Sequence, residues 1–309
     1  MKKKRLQRQQ KENNLLKIVF KSRYVNITAF FVLLNMNKSN PIGFFDSGYG
    51  GLTVLKEVQK LLPEYDYLYL GDNARAPYGT RTADVVYQYT WEAVRTLFEQ
   101  GCDLVVLACN TASAKALRRI QQGNLKDYPD RRVLGVIRPS AEVVGDFSVS
   151  NNIVVLGTEG TISSNTYVDE FNFLSPNTKV DQYACPLWVP LIENKQYNTK
   201  EGKAFIKNDV QKILKSFPNA DVFLLGCTHY PILQDFIESL VPDEVKVISQ
   251  GEIVASSLQS YLQRHNWLDQ KISKNGMSRY LTTEDPKVFE VLASTILGID
   301  VNVEHIKIK

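Results

Sequence analysis

The segment LVVLACNTAS, residues 104–113, passes from an apolar run through a cysteine directly into a helix-start signal. The segment VFLLGCTHYP, residues 222–231, repeats this order of features in the second half of the chain. A short apolar run before a helix is typical of a buried strand in a parallel sheet. Ligands of open α/β folds bind at the carboxyl ends of such strands. The repeated pattern therefore predicts an α/β fold in which Cys109 and Cys227 face one ligand cavity.

Short apolar runs alternate with amphipathic stretches from Pro41 onward, which is the βα signature of a parallel sheet. The predicted strands are 42–45, 66–71, 104–108, 133–137, 153–157, 179–184, 221–226 and 245–249. The predicted helices are 51–62, 82–100, 111–122, 163–173, 201–215, 230–240, 252–264 and 286–297. The two cysteine segments indicate two similar open parallel-sheet (flavodoxin-like) α/β domains, with the active site in the cleft between them. We expect residues 41–137 plus 245–309 to form the first domain and residues 138–244 the second.

The basic charge of this chain is concentrated at its beginning. The 309 residues carry a net charge of +4, but residues 1–35 hold nine Lys or Arg and one Glu, a net +8, which leaves residues 36–309 at −4. This mildly acidic body has no basic stripe, so we expect neither nucleic acid nor a membrane as its partner. We expect residues 1–40 to be an extension outside the fold, either from a misassigned start or as a regulatory or membrane-surface segment. Its apolar run 27–34 is far shorter than the roughly 20 residues that span a bilayer.

The chain contains four cysteines, with no CxxC pair and no Cys/His spacing of a zinc site. We therefore predict reduced thiols in a cytosol and no metal site. A lone buried cysteine is usually a small core residue, which is our interpretation of Cys102. The shared context of Cys109 and Cys227 instead favours catalysis, because a helix N-terminus lowers the pKa of a thiol. His229 is placed to tune Cys227 or to relay a proton.

The segment FFDSGYGGLT, residues 44–53, consists of a predicted strand, an acid, a glycine-rich turn and a helix start. It is not a phosphate loop, because no Lys-Ser/Thr pair follows the glycines, and Thr53 occupies the place of the third glycine of GxGxxG. The glycines suit a tight turn and close backbone approach to a small ligand. Asp46 has two open interpretations, namely a helix cap or a group that holds a substrate ammonium or orients a proton donor.

Two further segments allow either a structural or a functional interpretation. In GDNARAPYG, residues 71–79, the backbone at Tyr78–Gly79 either lines a pocket or belongs to an ordinary loop. The hydroxyl-rich turn GTEGTISSN, residues 157–165, either caps a helix or binds a carboxylate through hydroxyl and N–H groups. Glu193 is by default a surface acid.

Four segments, taken together and in this order, resemble the aspartate/glutamate racemase family. They are FFDSGYGGLTVLKE (44–57), APYGTR (76–81), ACNTAS (108–113) and GCTHYP (226–231). The resemblance implies a cofactor-independent isomerase that interconverts L- and D-glutamate and supplies D-glutamate for bacterial peptidoglycan. It further implies a cytoplasmic enzyme with glutamate as its small-molecule partner, and we expect a homodimer.

The resemblance also implies roles for residues of the matching segments. Cys109 and Cys227 resemble the two catalytic bases. Asp46 and His229 resemble their auxiliary catalytic partners, and Glu193 resembles a further catalytic residue. The implied substrate-binding residues are Ser47, Tyr78, Gly79, Asn110, Thr111, Thr228, Thr158 and Thr161, of which the last two lie in the segment for the side-chain carboxylate. The resemblance implies neither a metal nor a cofactor.

Racemisation at Cα removes a proton from one face and returns one to the opposite face, which two thiols on opposite sides can do without moving. Three alternatives stay open. One is another amino-acid racemase of this family, such as an aspartate racemase. Another is a cysteine hydrolase with Cys227 as nucleophile and His229 as base, although residues two apart at a helix start do not face each other well, and Cys109 would have no role. The third is a two-lobed amino-acid-binding protein without catalysis.

Overall fold

The computed structural model describes residues 39–308 of the chain. Residues 1–38, which make up almost all of the expected extension, lie outside the described residues. Asn40 lies inside the fold, because its amide nitrogen donates to the Asp103 carboxylate at 2.8 Å and its amide oxygen accepts from the Asp103 backbone N–H at 3.0 Å. The fold therefore reaches back at least to Asn40, which the sequence had placed in the extension.

Strands and helices alternate along the described residues. The strands are β1 (Ile42–Asp46), β2 (Tyr67–Gly71), β3 (Leu104–Leu107), β4 (Arg132–Gly135), β5 (Asn152–Gly157), β6 (Lys179–Ala184), β7 (Val222–Leu225), β8 (Lys246–Ile248), β9 (Ser278–Thr282) and β10 (Val303–His305). The helices are α1 (Leu52–Leu61), α2 (Ala83–Glu99), α3 (Asn110–Lys115), α4 (Leu117–Gln122), α5 (Ile137–Val143), α6 (Glu159–Ile162), α7 (Thr166–Leu174), α8 (Trp188–Glu193), α9 (Lys200–Ser216), α10 (Gln234–Glu238), α11 (Gly251–Arg264), α12 (Asn266–Asp269) and α13 (Pro286–Leu297). The sequence did not predict β9 and β10, because polar residues such as Arg279 and Glu304 interrupt their apolar character.

The strands form two sheets in which every recorded pair is parallel. The first sheet has the order β10-β9-β2-β1-β3-β4, and the second has the order β6-β5-β7-β8. The order β2-β1-β3-β4 thus recurs as β6-β5-β7-β8, so β3 and β7, which precede the two cysteines, hold equivalent positions. This topology confirms the predicted fold class of two similar open parallel-sheet units, which we call the first and second lobes.

One predicted boundary between the lobes differs from the structure. The sequence places residues 245–309 in the first domain, but β8 pairs with β7 in the second sheet, with Lys246 opposite Val222. The reason is that the backbone N–H and C=O groups of β8 form hydrogen bonds with β7. The apolar pattern of residues 245–249 predicts a strand but does not predict which strand it pairs with. The chain returns to the first lobe only after Ile248, where α11 packs against α1.

Each sheet is buried on both faces because successive residues of its strands point into opposite cores. In β1, Phe44 and Phe45 belong to different clusters, and both are fully buried. In β5, Val154 and Val155 are divided in the same way. Helices cover these faces, so the loops at the carboxyl ends of the strands are left to build a site. Within residues 39–308, no helix has both the length and the apolar character needed to cross a membrane.

Candidate active site

A cavity of about 260 Å³ lies between loops that follow strands of both sheets. Cys109 follows β3 after Ala108, and Cys227 follows β7 after Gly226; the two cysteines are only 5% and 6% exposed. The predicted site residues that line the cavity are Ser47, Tyr78, Gly79, Cys109, Asn110, Thr111, Thr158, Glu193, Cys227, Thr228 and His229. The structure therefore brings both thiols to one cavity, whose volume lies just below the usual range for small-molecule sites, about 300–1,000 Å³.

A second cavity, of about 680 Å³, adjoins the first. It shares Glu193, Cys227, Thr228 and His229 with the smaller cavity but does not include Cys109. Only the smaller cavity holds both thiols, so we place the candidate active site there. Among residues 39–308, no group of three or more His, Cys, Asp or Glu is arranged to hold a metal ion.

Cys109 occupies the N-cap of α3, where its Sγ accepts from the Ala112 backbone N–H at 3.4 Å and lies 3.4 Å from Ser47 Oγ. Burial raises the pKa of the Cys109 thiol to about 12, and the negative charge of Asp46 adds to this, while the hydrogen bonds from Ser47 and Ala112 oppose it. The prediction that the helix start lowers the pKa of the Cys109 thiol is therefore wrong. Loss of water around the thiolate outweighs the two hydrogen bonds.

Cys227 does not lie at the start of an α-helix, because the nearby residues Tyr230–Leu233 form a 3₁₀ turn. Its neighbour is instead the side chain of His229. Cys227 Sγ lies 4.0 Å from His229 Nδ1, and His229 Nε2 lies 3.1 Å from Glu193 Oε1. Burial would lower the pKa of His229, but the hydrogen bonds and negative charges of Cys227 and Glu193 raise it to about 10. Cys227 and His229 thus face each other, contrary to the expectation from their spacing.

Asp46 is fully buried behind the cavity wall and is not a helix cap, since the N-cap of α1 is Gly51. Its Oδ1 accepts from the Gly48 backbone N–H at 2.8 Å, and its Oδ2 accepts from the Thr228 hydroxyl at 3.1 Å. Burial raises the pKa of Asp46, although the charge of His229 and these hydrogen bonds work against it. Asp46 therefore connects the first lobe to the residue that follows Cys227.

Three threonine hydroxyls meet across the cleft. Thr111 Oγ1 lies 3.0 Å from Thr158 Oγ1 and 3.2 Å from Thr161 Oγ1, and the last two are 3.1 Å apart. Thr158 also accepts from the Thr161 backbone N–H at the start of α6, so it both caps a helix and lines the cavity. Thr161 is fully buried and lies behind Thr158.

The Tyr78 hydroxyl does not point to a ligand, because it donates to the Asp72 carboxylate. Asp72 also accepts from Arg75 Nε at 2.6 Å and from the Thr283 hydroxyl at 2.9 Å. This cluster, in which Asp72 and Tyr78 are buried, holds the loop whose Tyr78–Gly79 segment lines the cavity. Sequence reasoning missed Asp72, although its place directly after β2 was a usable signal.

A family model described as Asp/Glu/Hydantoin racemase matches residues 52–258. The chain belongs to this family. The glutamate racemase of Streptococcus suis is 36% identical over 270 residues, which make up 87% of this chain and 99% of that protein. A glutamate racemase isoform of Bacillus anthracis has a TM-score of 0.77 at 33% identity and covers 88% of this chain and 98% of its own. The glutamate racemase of Francisella tularensis, solved with D-glutamate, has a TM-score of 0.75 at 28% identity over 88% of this chain and 99% of its own.

Family membership favours a racemase over the cysteine hydrolase that the sequence left open. The distance of 4.0 Å between Cys227 Sγ and His229 Nδ1 would permit a thiol–imidazole pair, so geometry alone does not exclude a cysteine hydrolase. A second thiol, Cys109, lines the same cavity as Cys227. A hydrolase leaves that thiol without a role.

Proposed function

We propose that this protein interconverts L- and D-glutamate without a cofactor, with Cys109 and Cys227 on opposite sides of the substrate Cα. The observation that carries the proposal is that the two thiols follow equivalent strands of the two sheets and line one small cavity. Relatives that match most of the chain are glutamate racemases, and the one from Francisella tularensis was solved with D-glutamate.

The two thiols exchange the roles of acid and base with the direction of reaction. In one direction the Cys227 thiolate removes the Cα proton while the Cys109 thiol returns a proton to the opposite face; in the other direction the roles are reversed. His229, held by Glu193, is the auxiliary partner of Cys227, because its Nδ1 lies 4.0 Å from Cys227 Sγ. Cys109, with its pKa raised to about 12, is a neutral thiol ready to donate. Its thiolate, formed beside the substrate ammonium, is a strong base for a weakly acidic Cα–H.

Neutral donors on the cavity wall hold the substrate carboxylates. Hydroxyls of Ser47, Thr111 and Thr158 line the cavity together with the backbone at the start of α3. Because these donors are oriented before the reaction, they stabilise the negative charge that develops on the α-carboxylate when the Cα proton leaves. Thr228 also lines the cavity, but its hydroxyl already donates to Asp46 and is not one of these donors.

Incubation of the protein with L-glutamate, and separately with D-glutamate, in D₂O tests this function. We expect the optical rotation to decay to zero from either enantiomer, with deuterium incorporated at Cα as the rotation is lost. L-aspartate in a parallel reaction tests the alternative substrate. Unchanged rotation with every amino acid tried would reject the racemase proposal, and retention of both rotation and the Cα proton would favour a binding protein.

We extend the proposal to supply of D-glutamate for peptidoglycan in the cytoplasm and to a homodimer. Exposed apolar side chains support a contact between copies, since Val288 and Val291 on α13 are 47% and 58% exposed and Ile299 beyond it is 59% exposed. Light scattering should give twice the 35.1 kDa of one chain. A mass of one chain at assay concentration would reject the dimer.

A further inference from the structure

A buried hydrogen-bond network connects the two lobes beside the cavity wall. Gln250 Oε1 accepts from Asn110 Nδ2 at 2.7 Å. Gln250 Nε2 lies 3.0 Å from the Val136 carbonyl oxygen, 2.7 Å from Ser140 Oγ and 2.8 Å from the Tyr167 hydroxyl. The Tyr167 hydroxyl in turn donates to Asn110 Oδ1 at 2.6 Å. All four side chains are at most 3% exposed, so water does not compete for these bonds.

The Val136 carbonyl orients the whole network, because a carbonyl oxygen can only accept a hydrogen bond. The amide nitrogen of Gln250 must face Val136, which turns Gln250 Oε1 toward Asn110. Asn110 must then face Gln250 with Nδ2, and its Oδ1 faces the Tyr167 hydroxyl. The two ends of an amide have nearly the same shape, so these bonds alone select one orientation of Asn110.

We propose that Gln250 is a positioning residue that makes Asn110 present an N–H, rather than its carbonyl oxygen, to a carboxylate of the substrate. The Asn110 amide nitrogen carries two N–H groups. Gln250 accepts one, and the other is left for the cavity that Asn110 lines. A flipped amide would turn an oxygen toward a negative charge. This inference rests on the proposed function, because it needs an anionic substrate in this cavity.

The place of the network in the fold explains why one side chain can do this. Val136 lies on the connection from β4 to α5, and Gln250 lies on the connection from β8 to α11. These are the two segments by which the chain passes between the lobes. Gln250 therefore links both connections to Asn110, the residue directly after Cys109, through its hydrogen bonds to Val136 and Asn110.

Two substitutions of Gln250 separate orientation from packing. Gln250→Met keeps the length of the side chain but removes the acceptor for Asn110 and the donor to Val136. We expect the KM for glutamate to rise about tenfold or more, with kcat changed by less than about threefold, because one hydrogen bond to a charged group is lost in ground and transition states alike. Gln250→Glu keeps an acceptor toward Asn110, and a buried carboxyl favours its neutral form, whose O–H donates to Val136. We expect its KM to stay within about threefold of the wild-type value.

A matched pair of tyrosine substitutions controls for stability. Tyr167→Phe removes the hydroxyl that donates to Asn110. Tyr67→Phe removes a buried hydroxyl that donates to the Leu62 carbonyl at 2.6 Å, at the amino end of β2 and away from the cavity. We expect both variants to melt at a lower temperature, but only Tyr167→Phe to raise the KM, by about threefold to tenfold.

The outcomes distinguish this inference from the proposed function. An unchanged KM in Gln250→Met, or equal increases in the Met and Glu variants, would overturn the positioning role while wild-type racemisation stands. If Gln250→Met does not fold, the comparison of Tyr167→Phe with Tyr67→Phe decides in the same way, since equal KM values would overturn the role. A wild-type protein that does not racemise glutamate would overturn the proposed function, and this inference with it.

Discussion

Cys109 and Cys227 are chemically identical side chains in different surroundings. Cys109 has neutral partners, Ser47 and the Ala112 N–H, and burial raises its pKa to about 12. Cys227 lies 4.0 Å from His229, whose pKa is raised to about 10. One thiol is therefore held neutral and the other lies beside a cation, which suits an acid and a base acting on opposite faces of one carbon.

Replacing either thiol by a hydroxyl should nearly abolish racemisation. A serine hydroxyl is a much weaker acid than a thiol, so Cys109→Ser and Cys227→Ser should each lower kcat by roughly 10² to 10⁴-fold. The remaining thiol of each variant should still exchange the Cα proton of one enantiomer for deuterium. The fully buried Cys102 does not line the cavity, so Cys102→Ser is the matched control and should change stability alone. A near-wild-type rate in either catalytic variant would refute the two-base assignment.

The raised pKa of His229 predicts a loss of stability as pH rises. The folded protein holds this proton to about pH 10, whereas the unfolded chain releases it near 6.5. The folded state binds more protons between these values, so this contribution is fully present below pH 6.5 and is lost as pH rises through 10. The slope is at most about 1.4 kcal/mol per pH unit.

Urea unfolding at pH 6.5 and at about pH 8 measures this slope. The raised pKa of Cys109 adds a slope of the same sign only from about pH 9 upward, so the two effects separate. We expect His229→Gln to flatten the dependence of the unfolding free energy on pH in this range. An unchanged slope in the variant would assign the loss to other groups.

At the scale of elements, the start of α6 contacts the loop after β2 at a distance that side chains would prevent. A Cβ on Gly160 would lie 2.6 Å from the Gly79 carbonyl oxygen, and a Cβ on Gly79 would lie 3.0 Å from Thr158 Cβ. The two glycines belong to different lobes. Their lack of a Cβ allows the lobes to close over the cavity at this point.

Gly160→Ala should therefore separate these elements and lower kcat/KM for glutamate. A misplacement of about 1 Å near reacting groups can cost about a hundredfold, so we expect a decrease of about tenfold to a hundredfold. Gly145→Ala is the control, because its Cβ would meet the Thr178 hydroxyl at 3.2 Å away from the cavity. Equal kinetic effects in the two variants would contradict a role for the Gly79–Gly160 contact.

At the scale of the whole molecule, the arrangement of the two lobes brings the thiols and the threonine hydroxyls to one cavity. Cys109 and Thr111 come from the first lobe, whereas Cys227 and Thr158 come from the second. The bond between Thr111 and Thr158 at 3.0 Å crosses the cleft. The distance from the thiols to the threonine donors is thus a property of the closed pair of lobes.

This geometry predicts selectivity for glutamate over aspartate of about a hundredfold in kcat/KM. We place the distal carboxylate of the substrate on the donors around Thr158, which lines the cavity. A substrate shorter by one methylene would leave donors unpaired, at about 1–3 kcal/mol each, and about 1.4 kcal/mol corresponds to tenfold in rate. Assays of both L-amino acids measure the ratio. Comparable values would remove the glutamate assignment and leave the racemase chemistry intact.

The sequence by itself determined the features that depend on neighbouring residues. Apolar runs followed by amphipathic stretches identified the parallel α/β fold, because buried strands and surface helices have different periods. The strand–cysteine–helix pattern identified Cys109 and Cys227 as a pair, since the carboxyl ends of parallel strands meet at one edge. The sequence also predicted the N-cap at Thr158, because a hydroxyl before a helix accepts a hydrogen bond from the backbone N–H three residues later.

Only the tertiary structure decided the features that join residues distant in the chain. In the folded protein, Asp46 accepts a hydrogen bond from Thr228 instead of capping a helix, and Glu193 lies within hydrogen-bond distance of His229. Gln250 accepts from Asn110, which is 140 positions away in the chain. The tertiary structure also reversed the expected pKa shift of Cys109. The physical reason is that burial and long-range hydrogen bonds exist only once the two lobes have packed, and no local pattern of side chains specifies which loops then share the cleft.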